Sequence, residues 1–147
     1  MGALNSALGP NSVVLGATAT DWRSAVSIAG EALVASGRVL EPYTAEMLRT
    51  IDELGPYVVL APGLAMPHAR PSELVLATGM SLVVLASPVV FGHPNNDPVR
   101  VLFGLAALDH QMHLDLLSDF AARVAQPGFV NSLLTCGTEA EIRQILS

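Results

Sequence analysis

The distribution of apolar residues predicts a helix in the first quarter of the chain. Within residues 20–37 the apolar side chains recur every three or four positions, at Trp22, Ala25, Val26, Ala29, Ala32 and Leu33. This spacing places them on one face of an α-helix. Thr20 or Asp21 can cap the start of the helix, and Gly37 can end it.

Three further segments have helical patterns. Residues 41–55 have a proline in the first turn and a glycine after the last one, which is the usual asymmetry of helix ends. Residues 109–125 contain apolar residues that would form one stripe: Met112, Leu116, Phe120 and Val124. Residues 138–146 open with a capping box between Thr138 and Glu141. We predict a helix over each segment.

The remaining apolar runs are continuous and rich in valine and leucine. Residues 57–63, "YVVLAPG", predict a short strand that enters a turn. Residues 79–88, "GMSLVVLASP", and 99–108, "VRVLFGLAAL", are typical of strands buried on both faces. Together with the helices they predict an α/β fold, a three-layer sandwich in which helices cover both faces of a mixed β-sheet.

Composition narrows the class of protein. The chain has 147 residues, 51% hydrophobic and 14% charged, with a formal charge of −6. This length suits one domain, and no repeat or linker divides residues 1–147. Seven Lys and Arg residues against thirteen Asp and Glu residues give no electrostatic footprint for nucleic acid or for an anionic membrane surface.

The sequence also indicates a compartment. The N-terminus lacks a basic segment followed by an apolar one, so no signal peptide is expected. The most apolar stretch, residues 74–91, is interrupted by glycine, serine and proline and is unsuited to crossing a membrane. One cysteine, Cys136, excludes an internal disulfide and favours the cytoplasm. We expect it to be a buried structural thiol rather than a nucleophile.

The candidate chemistry lies at His68. Pro67 and Pro71 restrict the backbone on either side of it, and Gly63 supplies a turn after the preceding strand. A loop this stiff can present one side chain at low entropic cost. Its flanks are apolar, and Arg70 is the only charge nearby.

Several roles are open to such a histidine. It could be an inert surface residue. Triad hydrolysis is disfavoured because the chain has no G-x-S-x-G segment. His110 and His113 share a helix face and could join His68 at a zinc ion, although no acidic or thiol ligand completes that set. Alternatively, neutral His68 is itself a nucleophile that could carry a phosphoryl group. Arg70 would then offset phosphate charge, and His113 could donate a hydrogen bond to it.

The segment "GPYVVLAPGLAMPHARP", residues 55–71, resembles the active-site segment of the enzyme IIA components of the bacterial sugar phosphotransferase system (PTS), in the mannitol/fructose superfamily. Its core, residues 63–68, matches the superfamily's G-x-A-x-P-H signature. The sequence of the whole segment is closest to that of the ascorbate type. Residues 25–48 resemble the family's second helical region. Residues 95–113 resemble its "DNDPV…AAxDxxxH" segment. The likeness extends over residues 8–146.

The resemblance implies roles for particular residues. His68 falls on the phosphorylated histidine, and His113 on the second active-site histidine. Asp109 matches an acidic residue that can also cap the helix. His110 has no counterpart and is expected to be a solvated residue at the helix start. His93 is expected in a surface turn.

One family residue is missing at its expected place. The mannitol type has an arginine in the segment that matches residues 47–53, but this chain has Thr50 or Ile51 there, with Arg49 nearby but not aligned. We therefore expect Arg70 to substitute for that arginine.

By resemblance, the chain is a phosphoryl carrier without a cofactor or a metal. It would accept phosphate from the phosphocarrier HPr on His68 and pass it to a cysteine of enzyme IIB, and so serve the membrane transporter IIC indirectly. A regulatory role of the nitrogen-related type is the alternative. The transported compound would be ascorbate or a related sugar or polyol, and a homodimer is one assembly left open. We expect both partners to dock on apolar residues around His68, namely Leu64, Met66 and Met112. The alternative for Met66 is a side chain that points into the core.

Overall fold

The computed structural model describes residues 3–147. Its helices are α1 (Ala3–Ala7), α2 (Trp22–Ala35), α3 (Pro42–Leu54), α4 (His110–Val124), α5 (Phe129–Leu134) and α6 (Glu139–Leu146). Its strands are β1 (Leu8–Ala17), β2 (Val59–Ala61), β3 (Leu64–Ala65), β4 (Gly79–Val89) and β5 (Val99–Ala106).

The strands form one mixed sheet in the order β1-β4-β5-β3-β2. The central pair, β4 and β5, is antiparallel, whereas β1 runs parallel to β4 and β3 runs parallel to β5. Strand β2 pairs with β3 in the antiparallel sense. Because β3 and β5 are parallel neighbours, the segments that follow them leave the sheet at the same end.

Helices cover both faces of the sheet, as the continuous apolar runs predict. Alternate residues of β4 point to opposite sides: Val83 and Leu85 join a core beneath α2 and α3. Leu82 and Val84 join a second core with α1, α4, α5 and α6. The predicted α/β sandwich with a mixed sheet is thereby confirmed.

Helices α2 and α3 form where the sequence predicts them. The side chain of Asp21 accepts a hydrogen bond from the backbone N–H of Ser24 at 2.8 Å and so caps α2. Gly37 follows the helix in a left-handed conformation, with φ of 76°, which glycine adopts without strain. Between the helices, a Cβ on Gly30 would lie 2.5 Å from the hydroxyl of Thr44. The glycine therefore allows α2 and α3 to approach closely.

The later helices confirm the predicted caps and correct one stripe. Asp109 accepts from the N–H of Met112 at 2.8 Å, and Thr138 accepts from the N–H of Glu141 at 3.2 Å. On α4 only Leu116 and Phe120 are buried. Met112 is 41% exposed, so it is the one member of the predicted stripe that is on the surface. It lies in the first turn of the helix, beyond the cover of the second core.

Four elements have no counterpart in the sequence prediction: α1, α5, β1 and β3. Strand β1 was not predicted because it contains glycine, proline and asparagine residues, which usually indicate a turn. A proline is tolerated there because β1 is an edge strand. Strand β3 has only two residues, too few to produce a periodic pattern.

The only cysteine is less enclosed than expected. Cys136 is half-buried against the second core, and its thiol donates to the carbonyl of Ser132 at 3.4 Å. Burial raises the pKa of this thiol, and the nearby Glu141 carboxylate adds to the effect. A raised pKa disfavours the nucleophilic thiolate.

Within residues 3–147, each helix is either too short or too polar to cross a membrane.

Candidate functional site

The segment that leads to His68 is fixed to the sheet. Upstream, Gly63 makes a turn with φ of 78° and donates its N–H to Asn96 O at 3.0 Å. After β3, Met66 N donates to Val58 O at 2.8 Å, and Pro67 O accepts from Leu105 N at 3.1 Å. His68 thereby continues alongside β5, in parallel register with Leu105. The loop extends the sheet beyond the end of β3.

The backbone near His68 also sets the state of its ring. Nδ1 lies 2.8 Å from the carbonyl oxygen of Met66. A carbonyl oxygen can only accept, so Nδ1 must carry the proton and the neutral ring keeps its lone pair on Nε2. Burial lowers the pKa of His68, and the hydrogen bond to Met66 only partly opposes this. The imidazole therefore stays neutral, with Nε2 as the free basic atom.

Two rings border His68. The His113 ring centroid lies 5.0 Å from that of His68, at an interplanar angle of 57°. Tyr57 approaches edge-on, with its centroid 5.7 Å away. His113 belongs to the first turn of α4, directly after β5. Burial, followed by the proximity of His68 and His110, lowers the pKa of His113. The two histidines are thus brought together at the common end of the parallel strands β3 and β5, where α/β folds place their sites.

An open cavity of about 520 Å³ lies over this pair of rings. Three of the residues that line it are those predicted from the sequence: His68, His113 and Arg70. The full lining is Thr50, Leu54, Tyr57, His68, Ala69, Arg70, Pro71, His110 and His113. Arg70 is exposed. The cavity therefore combines a nucleophilic nitrogen, a second imidazole and a guanidinium group, which suits a transferring phosphoryl group.

The position expected for the missing arginine is filled differently. Thr50 lines the cavity, but its hydroxyl donates to the carbonyl of Glu46 on its own helix at 2.7 Å. Ile51 is buried in the core. Arg49 pairs with Glu46 and Glu53 on the surface of α3. Arg70 is thus the arginine that lines the cavity among the described residues.

Two of the three expected docking residues were wrong. Leu64 is fully buried and Met66 is 1% exposed, because both contribute to the second core. Met112 is on the surface. The exposed apolar side chains that line the cavity are instead Leu54 and Tyr57, at 64% and 38% exposure. Sequence reasoning missed them because their proximity to His68 arises only when α3 packs on the sheet.

The remaining histidines differ from one another. His110 is exposed, as expected, although it borders the cavity. His93 is only half-exposed, and its Nδ1 accepts from the N–H groups of Asn95 and Asn96 at 3.1 Å. Across residues 3–147 no three His, Cys, Asp or Glu side chains are grouped so that they could hold a metal ion. Among these residues, His68, His110 and His113 therefore do not form the zinc site considered as an alternative.

Comparison with known proteins identifies the family. The model of the family described as "Phosphoenolpyruvate-dependent sugar phosphotransferase system, EIIA 2" matches residues 6–147. The chain belongs to this family.

Relatives with an ascorbate designation are close in sequence. An "Ascorbate-specific PTS system EIIA component" from Salmonella choleraesuis is 46% identical over 106 residues, which span 72% of this chain and 69% of the relative. The protein of the same description from Shigella flexneri is 39% identical and spans 97% of this chain and 94% of its own length. The predicted resemblance is confirmed, including its ascorbate type.

Solved structures share the fold. The mannitol-specific cryptic phosphotransferase enzyme IIA CmtB from Escherichia coli superposes with a TM-score of 0.84 at 32% identity, covering 98% of each chain. A complex of enzyme IIAMtl with phosphorylated enzyme IIBMtl from Escherichia coli gives 0.83 at 26% identity, covering 95% of this chain and 96% of the matched one. The nitrogen regulatory protein IIA-Ntr from Neisseria meningitidis gives the same TM-score and identity, covering 97% and 98%.

Proposed function

We propose that this protein carries a phosphoryl group on Nε2 of His68, between the phosphohistidine of HPr and a cysteine of enzyme IIB, during uptake of ascorbate or a related sugar. The observation that carries the proposal is the hydrogen bond from Nδ1 of His68 to Met66 O. It leaves the opposite nitrogen, Nε2, with a lone pair for attack on phosphorus.

In the first transfer, the lone pair of Nε2 attacks the phosphorus of phospho-HPr. A new N–P bond forms, the N–P bond of the donor breaks, and its electron pair returns to the donor's histidine ring. The Nδ1 proton stays hydrogen-bonded to Met66 O throughout. Because the lowered pKa keeps His68 neutral, no proton has to leave Nε2 before the attack.

In the second transfer, a cysteine thiolate of enzyme IIB attacks the same phosphorus. The S–P bond forms and the Nε2–P bond breaks, which restores the neutral ring. His113 and Arg70 have the task of stabilising charge on the three phosphoryl oxygens in both directions. Such transfers depend on positioning and charge stabilisation more than on covalent chemistry by the protein.

The proposed partners follow from the relatives. A IIA of this fold forms a complex with a phosphorylated IIB in the mannitol system, which supports a IIB partner here. The ascorbate designation of the relatives supports the ascorbate system. The chain would meet HPr and IIB in the cytoplasm and serve the transporter IIC indirectly, without a cofactor.

A regulatory role is the second candidate. It is favoured by the structural match to the nitrogen regulatory protein at a TM-score of 0.83, although that match is 26% identical. The ascorbate-specific relatives are 39% and 46% identical, so we rank transport first. The two roles differ in the acceptor of the phosphoryl group.

The test is reconstitution with phosphoenolpyruvate, enzyme I and HPr, followed by intact mass spectrometry and then by addition of an ascorbate-type IIB. The proposal expects a gain of one phosphoryl group, lost to the cysteine of IIB. A chain that takes no phosphoryl group refutes carriage altogether. A chain that is phosphorylated but does not donate to IIB favours the regulatory role.

A further inference from the structure

A buried phenol lies behind the loop that carries His68. Tyr43, in the first turn of α3, is completely shielded from solvent. Its hydroxyl accepts a hydrogen bond from Ala69 N at 3.0 Å. The same oxygen lies 2.8 Å from the carbonyl oxygen of Leu105 and 3.1 Å from that of Ala69, so it donates to the closer Leu105 O. Three polar backbone atoms thus converge on one side-chain oxygen.

These contacts connect the three parts that build the site. Ala69 directly follows His68, Leu105 is the residue of β5 that pairs with His68, and Tyr43 belongs to α3, whose later turns supply Thr50 and Leu54 to the cavity. Upstream of the histidine, Pro67 O and Met66 O are engaged by Leu105 N and by the His68 ring. Downstream, the Tyr43 hydroxyl is what holds Ala69 N.

The hydroxyl is suited to a permanent structural bond. Burial raises the pKa of Tyr43 to about 12, against a smaller opposing effect of the hydrogen bond from Ala69. The phenol therefore keeps its proton across the working range and remains both a donor and an acceptor. Ala69 is itself buried, so without the hydroxyl its N–H would lack both this partner and ready access to water.

We propose that Tyr43 is the positioning residue of phosphoryl transfer: its hydroxyl fixes Ala69 to β5 and thereby holds the His68 ring at the distance and angle from which Nε2 attacks. This rests on the proposed function, since it assigns Tyr43 to the transfer at His68. Tyr43 touches no reacting atom. It acts through the backbone on the side of His68 that the Met66 contact does not restrain.

The test compares wild-type protein with Tyr43→Phe, which keeps the ring and removes only the hydroxyl. The Ala69 amide should exchange with solvent about tenfold faster or more in the variant, because a local hydrogen bond is lost. Single-turnover transfer from saturating phospho-HPr should slow by about tenfold or more, since a reacting group misplaced by ~1 Å can cost about 10²-fold. The HPr concentration for half-saturation should not change.

A matched control separates positioning from general destabilisation. Ser12 is also completely buried, and its hydroxyl donates to Gly9 O at 2.6 Å, but it lies on β1, at the sheet edge away from β3. Ser12→Ala should lower the melting temperature while transfer stays at the wild-type rate. Equal slowing in both variants would overturn the proposal, as would wild-type transfer in Tyr43→Phe.

The outcomes also distinguish this inference from the proposed function. If wild-type protein takes no phosphoryl group, the proposed function fails. If wild type is phosphorylated and Tyr43→Phe transfers equally fast, only the positioning role fails. Should Tyr43→Phe not fold, amide exchange in wild-type protein decides: an Ala69 amide that exchanges as fast as an unstructured one contradicts the proposal, and a protected one supports it.

Discussion

The rings of His68 and His113 lie 5.0 Å apart between their centroids, one on a loop after β3 and the other in the first turn of α4 after β5. Because β3 and β5 are parallel neighbours, the sheet itself brings the two histidines together. His113 is close enough to contact a phosphoryl group on His68, and we propose that His68 is the carrier and His113 the stabiliser.

We therefore expect His113→Ala to accept the phosphoryl group but to transfer it slowly in both directions. Removal of a group that stabilises transition-state charge typically costs about 2.7–4 kcal/mol, or about 10²–10³ in rate. Stopped-flow transfer from phospho-HPr and to IIB measures the effect. Unchanged rates in both directions would show that His113 takes no part.

Arg70→Ala should also slow transfer, by a smaller factor because Arg70 is exposed and water screens its charge. Arg49→Ala is the matched control, since Arg49 is also an exposed arginine but is paired with Glu46 and Glu53. Rates measured at several salt concentrations should show a salt dependence that Arg70→Ala weakens and Arg49→Ala does not. If the Arg49 variant is the slower of the two, Arg49 and not Arg70 replaces the family arginine.

The lowered pKa of His68 predicts how stability and transfer depend on pH. Below the ordinary histidine pKa of about 6.5, the unfolded chain protonates more readily than the folded one. The free energy of unfolding should therefore fall as pH drops from about 6.5 to the folded pKa, and then level off for this group.

Acceptance of phosphate by His68 should persist to lower pH than an ordinary histidine would allow, because the ring stays neutral. Histidine NMR titration, read as a coupled titration of His68 and His113, gives the midpoints. A midpoint for His68 at or above about 6.5 would contradict this account of its burial.

The surface on which both partners would dock can be tested with one leucine variant and one methionine variant. Leu54→Asp should weaken transfer from HPr and to IIB together and leave the fold intact, because Leu54 is exposed at the rim of the cavity. Met66→Asp should instead unfold the protein, since an unpaired charge in the core costs at least about 4 kcal/mol. Thermal melting and chemical-shift perturbation by each partner provide the measurements.

Val90→Asp is the control for the surface test. Val90 is 67% exposed and follows the end of β4 that pairs with the start of β5, opposite to the end where His113 lies. Its substitution should affect neither transfer. Separate footprints for the two partners, or footprints centred on Val90, would rule out a shared surface around His68.

Much of this architecture could be predicted from local patterns. The starts of α2 and α6 follow from the caps at Asp21 and Thr138. The bounds of β4 and β5 follow within a few residues from their apolar runs. Strand β1 could not be predicted because Pro10 and its neighbours indicate a turn, and only pairing with β4 makes the segment a strand.

Only part of the candidate site could be predicted from local sequence. His68 and Arg70 are found because the stiff loop and its motif are contiguous in sequence. Leu54, Tyr57 and Tyr43 were missed because only tertiary packing brings α3 and its following loop to the histidine. Met66 was misplaced on the surface because a loop between prolines does not reveal which side chains turn into the core.

We predict that Nε2 of His68 alone carries the phosphoryl group. His68→Ala should fold and take no group from phospho-HPr, whereas His93→Ala, altered at a histidine outside the cavity, should still be phosphorylated.

The most direct measurement is ¹H–¹⁵N NMR of histidine side chains in wild-type protein before and after phosphorylation by HPr. We predict a single acid-labile phosphoryl group bonded to Nε2 of His68, with the proton retained on Nδ1. A phosphoryl group on Nδ1, on His113 or retained by His68→Ala would contradict it.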